Sequence, residues 1–180
     1  MIDEATQWRR FAAPLPPDDA ARFMDCWQIG EQEAGLDQLV AGLLEHQAPI
    51  SETVRAEISV ASEVWGVRRA LAPGLGQCVG HRQEDDGLRL IERDDAVQPS
   101  GAYLSIDEAL AGPLVVPWIA CIRCGQVLAR VHDREPWGDV SFLPMHYMLF
   151  TPGRSTPTPL FAADSARDAW TELRTSCAQT

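Results

Sequence analysis

The sequence predicts an α+β fold, with a helical lobe first and a small, mainly antiparallel sheet closed by a C-terminal helix after it. Three observations lead there. Residues 18–66 place apolar side chains at helical spacing in three short runs joined by tight connections. From residue 88 onward the runs become short, extended and rich in β-branched residues. The last stretch returns to helical spacing, with Ala163, Ala166, Trp170, Leu173 and Cys177 forming a narrow seam.

The elements follow in order. Residues 1–17 read as a lead in which Trp8 and Phe11 tuck into the core, and Pro14, Pro16 and Pro17 stop any helix. Asp18 or Asp19 caps the first helix, where Phe23/Trp27 and Ala20/Met24 are i,i+4 pairs. The second helix puts Leu36, Leu39, Val40, Leu43 and Leu44 on one face and Glu31, Gln38 and Glu45 on the other. Gly35 and Gly42 share a stripe at the edge of that apolar face. Each costs about 1 kcal/mol relative to Ala in mid-helix, so the pair predicts another helix packed close there. His46, at the end of this helix, suits the negative pole of its dipole. Ser51 caps the third helix, whose buried stripe is Val54, Ile58, Ala61 and Trp65, and Gly66 stops it.

Residues 72–88 combine Gly, Pro and charge and read as a linker-like loop. The division is then a helical lobe over 1–71, the linker, and a mixed β/α lobe over 89–180, with one continuous domain as the alternative. Strand material lies at 88–92, 113–122, 126–132 and 139–150, the last broken by Pro144. QVLARVH (126–132) alternates as a half-buried strand does. Ser105 can cap a short helix in SIDEALA, and 151–159 reads as a loop.

Composition narrows the function. The chain of 180 residues has 15 basic and 26 acidic groups, a net charge of −11. Both halves are acidic, so no basic lobe is hidden in the average, and nucleic acid is excluded as a partner. Acidity steers association with a basic protein, and in the plainer reading only keeps the chain in solution. Every basic residue except the histidines is arginine, with no lysine or asparagine, as in a high-GC bacterial genome. No apolar run has membrane-span length, and MIDEATQWRR has no apolar signal region, so the expected location is cytoplasmic.

Five cysteines and no export signal argue against a disulfide framework. CIRCG (121–125) is a C-x2-C knuckle followed by Gly, the spacing at which two thiolates grip one tetrahedral zinc ion. Cys78 and His81 in CVGH offer a second pair, so Cys78, His81, Cys121 and Cys124 are the candidate metal ligands, with His132 and His146 as substitutes. The plainer reading makes Cys121 and Cys124 small residues at a strand end and leaves no cofactor. A redox C-x-x-C fits less well, because that chemistry needs a helix start after a βαβ lead.

No residues are assigned catalytic roles and the chain does not read as an enzyme. It has no G-x-S-x-G elbow, P-loop or G-x-G-x-x-G.

Residues 29–66 carry a further pattern. Gly30-Glu31 opens an amphipathic helix containing Leu36, Leu43 and Leu44. A Pro49-Ile50 turn follows, and a second helix ends in an aromatic–Gly pair. This 38-residue stretch resembles small helical immunity proteins of bacterial contact-dependent and polymorphic toxin systems, including the partners of Maf-type toxins. The resemblance implies a protein-binding module that neutralises a toxin by docking. Candidate docking residues are the acids Glu31, Asp37, Glu45, Glu84, Asp85 and Asp86, with Trp137, which lies in a polar turn, as an aromatic contact. A zinc-stabilised structural domain is the alternative, and an enzyme with an unrecognised site is the third reading.

Overall fold

A computed structural model describes residues 3–80, 87–91, 113–137, 140–153 and 159–178. The chain divides into two compact units, Met1–Asp86 and Gly87–Thr180. The first is helical and the second holds a five-stranded antiparallel sheet and a closing helix, so the fold is α+β.

Five helices form the first unit: α1 (Glu4–Ala12), α2 (Pro17–Ile29), α3 (Gln32–Glu45), α4 (Glu52–Val64) and α5 (Arg68–Gln77). Two of these go beyond the three read from the sequence. The stretch expected as a lead is helical as α1, because Asp3 accepts a hydrogen bond from the Thr6 N–H and caps it. Its Trp8 stacks on Phe23 of α2 with ring centroids 4.7 Å apart. Pro17 starts α2 at a position where a missing N–H costs nothing, so Asp18 and Asp19 fall in the first turn and neither is the cap. Gly30 ends α2 with φ of 86°, a left-handed C-terminal cap.

The glycine stripe of α3 does at Gly35 what its spacing predicts. A Cβ at Gly35 would lie 3.1 Å from the Cys26 Cβ and from the Trp8 ring, and one at Gly42 would lie 3.1 Å from Leu15 Cδ2. At Gly35 the neighbours are the helices α1 and α2, as the stripe predicts, whereas at Gly42 the neighbour is Leu15 of the α1–α2 connection and not a helix. Ser51 caps α4 by accepting from the Val54 N–H at 3.2 Å. This helix is buried over more than a stripe: Arg55, Ala56, Glu57, Ile58, Ser59, Val60, Ala61 and Ser62 are all buried. Its polar members therefore need partners inside, and Glu57 pairs with Arg10 of α1.

Helix α5 runs through residues read as linker, with Pro73 in its interior. Tertiary packing overrides that weak local propensity. Gly74 presses on α3 so closely that a Cβ there would be 2.9 Å from Val40 Cγ1.

The strands of the second unit are β1 (Leu88–Leu90), β2 (Leu114–Cys121), β3 (Val127–His132), β4 (His146–Phe150) and β5 (Leu160–Ala162), followed by α6 (Ala166–Ala178). Neighbours in sequence are neighbours in the sheet, and every pairing is antiparallel. Strand β2 carries an irregularity between Pro117 and Ile119. Strand β3 departs from its expected half-burial, since all six of its residues are buried. It is the middle strand, and both of its faces are covered. One face gathers Val115, Val127, Ala129, Val131, Met148 and Phe150 into a core cluster. The register places Ile119 and Cys121 with Leu128 and Leu149 on the other face. Helix α6 packs against β3, β4 and β5 through Ala166, Ala169, Trp170, Leu173 and Cys177.

Candidate metal centre

The site begins where β2 ends. Cys121 is the last residue of the strand, and its N–H donates to the Gln126 carbonyl at 2.8 Å. The chain then reverses over Ile122–Cys124. Gly125, at φ of 73°, donates its N–H to the Cys121 carbonyl at 2.9 Å. A left-handed residue is needed to close this turn, which is why Gly follows the second cysteine. The Ile122 N–H donates to the Gly87 carbonyl at 2.9 Å, tying the turn to the start of β1. A Cβ at Gly87 would displace the Arg123 guanidinium, the end of an exposed side chain that lies over it.

Helix α6 brings the third sulfur. Cys177 occupies its last turn, on the same seam as Trp170 and Leu173. The Sγ atoms of Cys121, Cys124 and Cys177 all lie within 4.8 Å of one another, and Cys124 and Cys177 are 3.3 Å apart. Cys121 and Cys177 are 1% and 3% exposed, while Cys124 is only partly buried. None is in a disulfide.

These thiols perturb one another. Burial opposes ionisation of Cys121. Hydrogen bonds from the Cys177 thiol, from the N–H and thiol of Cys124 and from the Arg123 N–H outweigh it and bring the pKa down to about 7. Cys177 moves upward, through burial first and then through the neighbouring sulfurs. One sulfur that ionises readily, ringed by N–H donors, beside two more thiols is the donor set of a thiophilic metal. Four sulfurs bound to zinc at ~2.3 Å sit about 3.8 Å from each other in a tetrahedron. The cluster is already near that spacing, so three close cysteines can hold a metal ion here.

Compared with models of known protein families, with curated proteins and with solved structures, the chain gives no match. The functional reading therefore rests on the site itself.

Of the four ligands named from spacing, the structure brings Cys121 and Cys124 together and adds Cys177. Cys78 belongs to the first unit, where its Sγ is 3.5 Å from the Gly74 carbonyl and burial pushes its thiol up. His81 lies outside the described residues. His132 is buried with Nδ1 2.9 Å from the Ser141 carbonyl, and His146 is exposed at the start of β4. Among the described residues the close group is cysteine only. The one signal for Cys177 was its place on the α6 seam, where a small apolar residue serves packing equally well.

The candidate docking residues divide similarly. Glu31, Asp37 and Glu45 are exposed on or beside α3. Glu31 also lines an open hollow of roughly 330 Å³ with Gly30, Gln32, Glu33, Ala34 and Trp65. Glu84, Asp85 and Asp86 lie outside the described residues. Trp137 is 73% exposed, and the same β3–β4 connection displays Phe142, Leu143 and Met145. No described helix is long and apolar enough to cross a membrane.

Proposed function

We propose that this protein is a binding module whose second unit is held together by one structural zinc ion, with Cys121, Cys124 and Cys177 as three of its four ligands. The observation that carries the zinc reading is the approach of three sulfurs within 4.8 Å, from a strand end and from a helix more than fifty residues away in sequence. A metal there fastens α6 to the sheet end at a point of covalent strength, and its binding energy becomes folding energy. The test is metal analysis of the chain purified under reducing conditions. One zinc per chain, lost in Cys177→Ser, is the expected result. A wild-type chain that takes up no zinc at micromolar concentration would refute it.

A second observation supports docking on a basic protein, the immunity-type role. The described residues at the two ends of the β3–β4 connection are tied back to the strand end, with the Ser141 N–H donating to the Asp133 carbonyl at 2.9 Å and the Met145 N–H to the Val131 carbonyl at 2.7 Å. The connection nevertheless displays Trp137, Phe142 and Leu143 at 73%, 61% and 65% exposure. Exposed aromatic groups suit a protein contact, and a net charge of −11 favours a cationic partner. Co-expression with the product of the adjacent open reading frame tests this role. Rescue of growth is expected, with loss of rescue when Trp137 and Phe142 are both replaced by Ser. A harmless neighbour would dismiss the immunity role.

A further inference from the structure

The thiol cluster has a second way to close. Cys124 Sγ and Cys177 Sγ are 3.3 Å apart and both cysteines are free. A disulfide places its sulfurs about 2.05 Å apart, so roughly 1.3 Å of approach separates the two states. Cys124 lies in the turn before Gly125, the one partly exposed member of the group, while Cys121 and Cys177 are 1% and 3% exposed. Access decides which sulfur an oxidant from solvent meets: Cys121, which ionises more readily, is 1% exposed, whereas Cys124 is open in part and has the Cys177 sulfur against it.

We propose that Cys124 is an oxidation site for hydroperoxides and that Cys177 is its resolving cysteine. In the first step the peroxide O–O bond breaks and one oxygen passes to the Cys124 sulfur, giving a sulfenic acid and releasing water from hydrogen peroxide. In the second the Cys177 thiol, held 3.3 Å away, attacks the Cys124 sulfur as its own proton passes to the departing hydroxyl, so it need not ionise beforehand. The S–S bond forms, the S–O bond breaks, and the hydroxyl leaves with the Cys177 proton as water. Two thiols lose two electrons and the peroxide gains them.

The disulfide consumes two of the three sulfurs that hold zinc, so oxidation and metal binding exclude each other. That coupling rests on the zinc reading, whereas the disulfide does not need it. The two outcomes differ structurally: zinc joins all three sulfurs, and the disulfide leaves Cys121 as a lone thiol.

The experiment uses the full wild-type chain, reduced and stripped of metal, then given equimolar hydrogen peroxide and quenched with an alkylating agent. Intact mass and peptide mapping should show loss of two hydrogens and a crosslink joining the Cys124 and Cys177 peptides, reversed by dithiothreitol. A crosslink between other cysteines, or Cys124 running on to sulfinic acid without a crosslink, would overturn the proposal. A zinc-loaded sample is treated in parallel with a chromophoric chelator present, and one zinc should be released for each crosslink. Crosslinking without any zinc uptake would dismiss the zinc reading and leave the disulfide standing. Zinc uptake without a Cys124–Cys177 crosslink would do the reverse.

Discussion

The guanidinium of Arg55 donates to the Cys78 carbonyl at 2.9 Å and also to the Leu75 carbonyl, so a buried cation of α4 closes the C-terminus of α5. Its Nε donates to Glu52 at 3.1 Å. The charge faces the negative pole of α5, satisfies the Cys78 carbonyl, and adds a second donor to the Leu75 carbonyl, which also accepts the Cys78 N–H at 3.4 Å. This contact closes the end of a helix that already carries Pro73 in its interior. Replacing Arg55 with Met keeps much of the volume, removes the donor of the buried Cys78 carbonyl and leaves the Leu75 carbonyl with only its long bond from the Cys78 N–H. A loss of about 3 kcal/mol is expected in urea unfolding, with Arg55→Lys intermediate. A wild-type midpoint in Arg55→Met would show that the cap contributes nothing.

The two glycines of α3 should respond differently to the same substitution. Gly35→Ala would place a methyl 3.1 Å from both the Cys26 Cβ and the Trp8 ring, groups that cannot move independently of their helices. Overpacking of about 1–3 kcal/mol should exceed the ~1 kcal/mol gained in helix propensity. Gly42→Ala meets only Leu15 Cδ2, the end of a side chain that can turn aside. Its thermal midpoint should stay level or rise while that of Gly35→Ala falls, and the reverse order would contradict this packing account.

Asp19 sets a pH dependence. Hydrogen bonds from Arg22 and from His46 hold its carboxyl below the ordinary value of 3.8, and the His46 contact, at 2.6 Å, joins α2 to the end of α3. A depressed folded-state pKa adds stability above the unfolded value. That contribution is lost as pH falls through the lower, folded one. The group is partly exposed, at the surface between α2 and the end of α3, so the effect is small and screened by salt. Asp19→Asn should therefore lose stability near neutral pH and converge with wild type on acidification below pH 4. Urea midpoints between pH 3 and 7 read this directly, and parallel curves would rule the linkage out.

Metal removal should act on one unit. A chelator added to the zinc-loaded, reduced protein is expected to raise amide hydrogen exchange at the end of β2, in the Ile122–Cys124 turn and in the last turn of α6. Exchange in α3 and α4 should stay unchanged. Structural zinc sites lose their folded form with the metal, so the change should span at least a tenfold rate increase. Uniform or absent change would contradict a local structural role.

Periodicity alone determined most of the architecture. The face of α3, most of the α6 seam, the Ser51 cap and the positions of β1 to β4 are written in local spacing, which depends only on 3.6- and 2-residue repeats; Ala163, read onto that seam, lies exposed in the turn before α6. The helicity of α1 and α5 was not legible. One is capped by Asp3, and the other is closed by Arg55 reaching across from α4. Burial of β3 was hidden as well, because alternation describes a strand with one wet face and this strand lies mid-sheet.

The candidate site divides along the same line. Cys121, Cys124 and Gly125 are adjacent in sequence, and a C-x2-C-G turn announces itself through local geometry. Cys177 belongs to the cluster only because α6 docks with its last turn against the end of β2, which brings a sulfur 53 residues away to 3.3 Å from Cys124. Spacing reports neighbours along the chain. Contacts made by packing apolar faces carry no spacing of their own, and only the tertiary structure decided which third thiol completes the group.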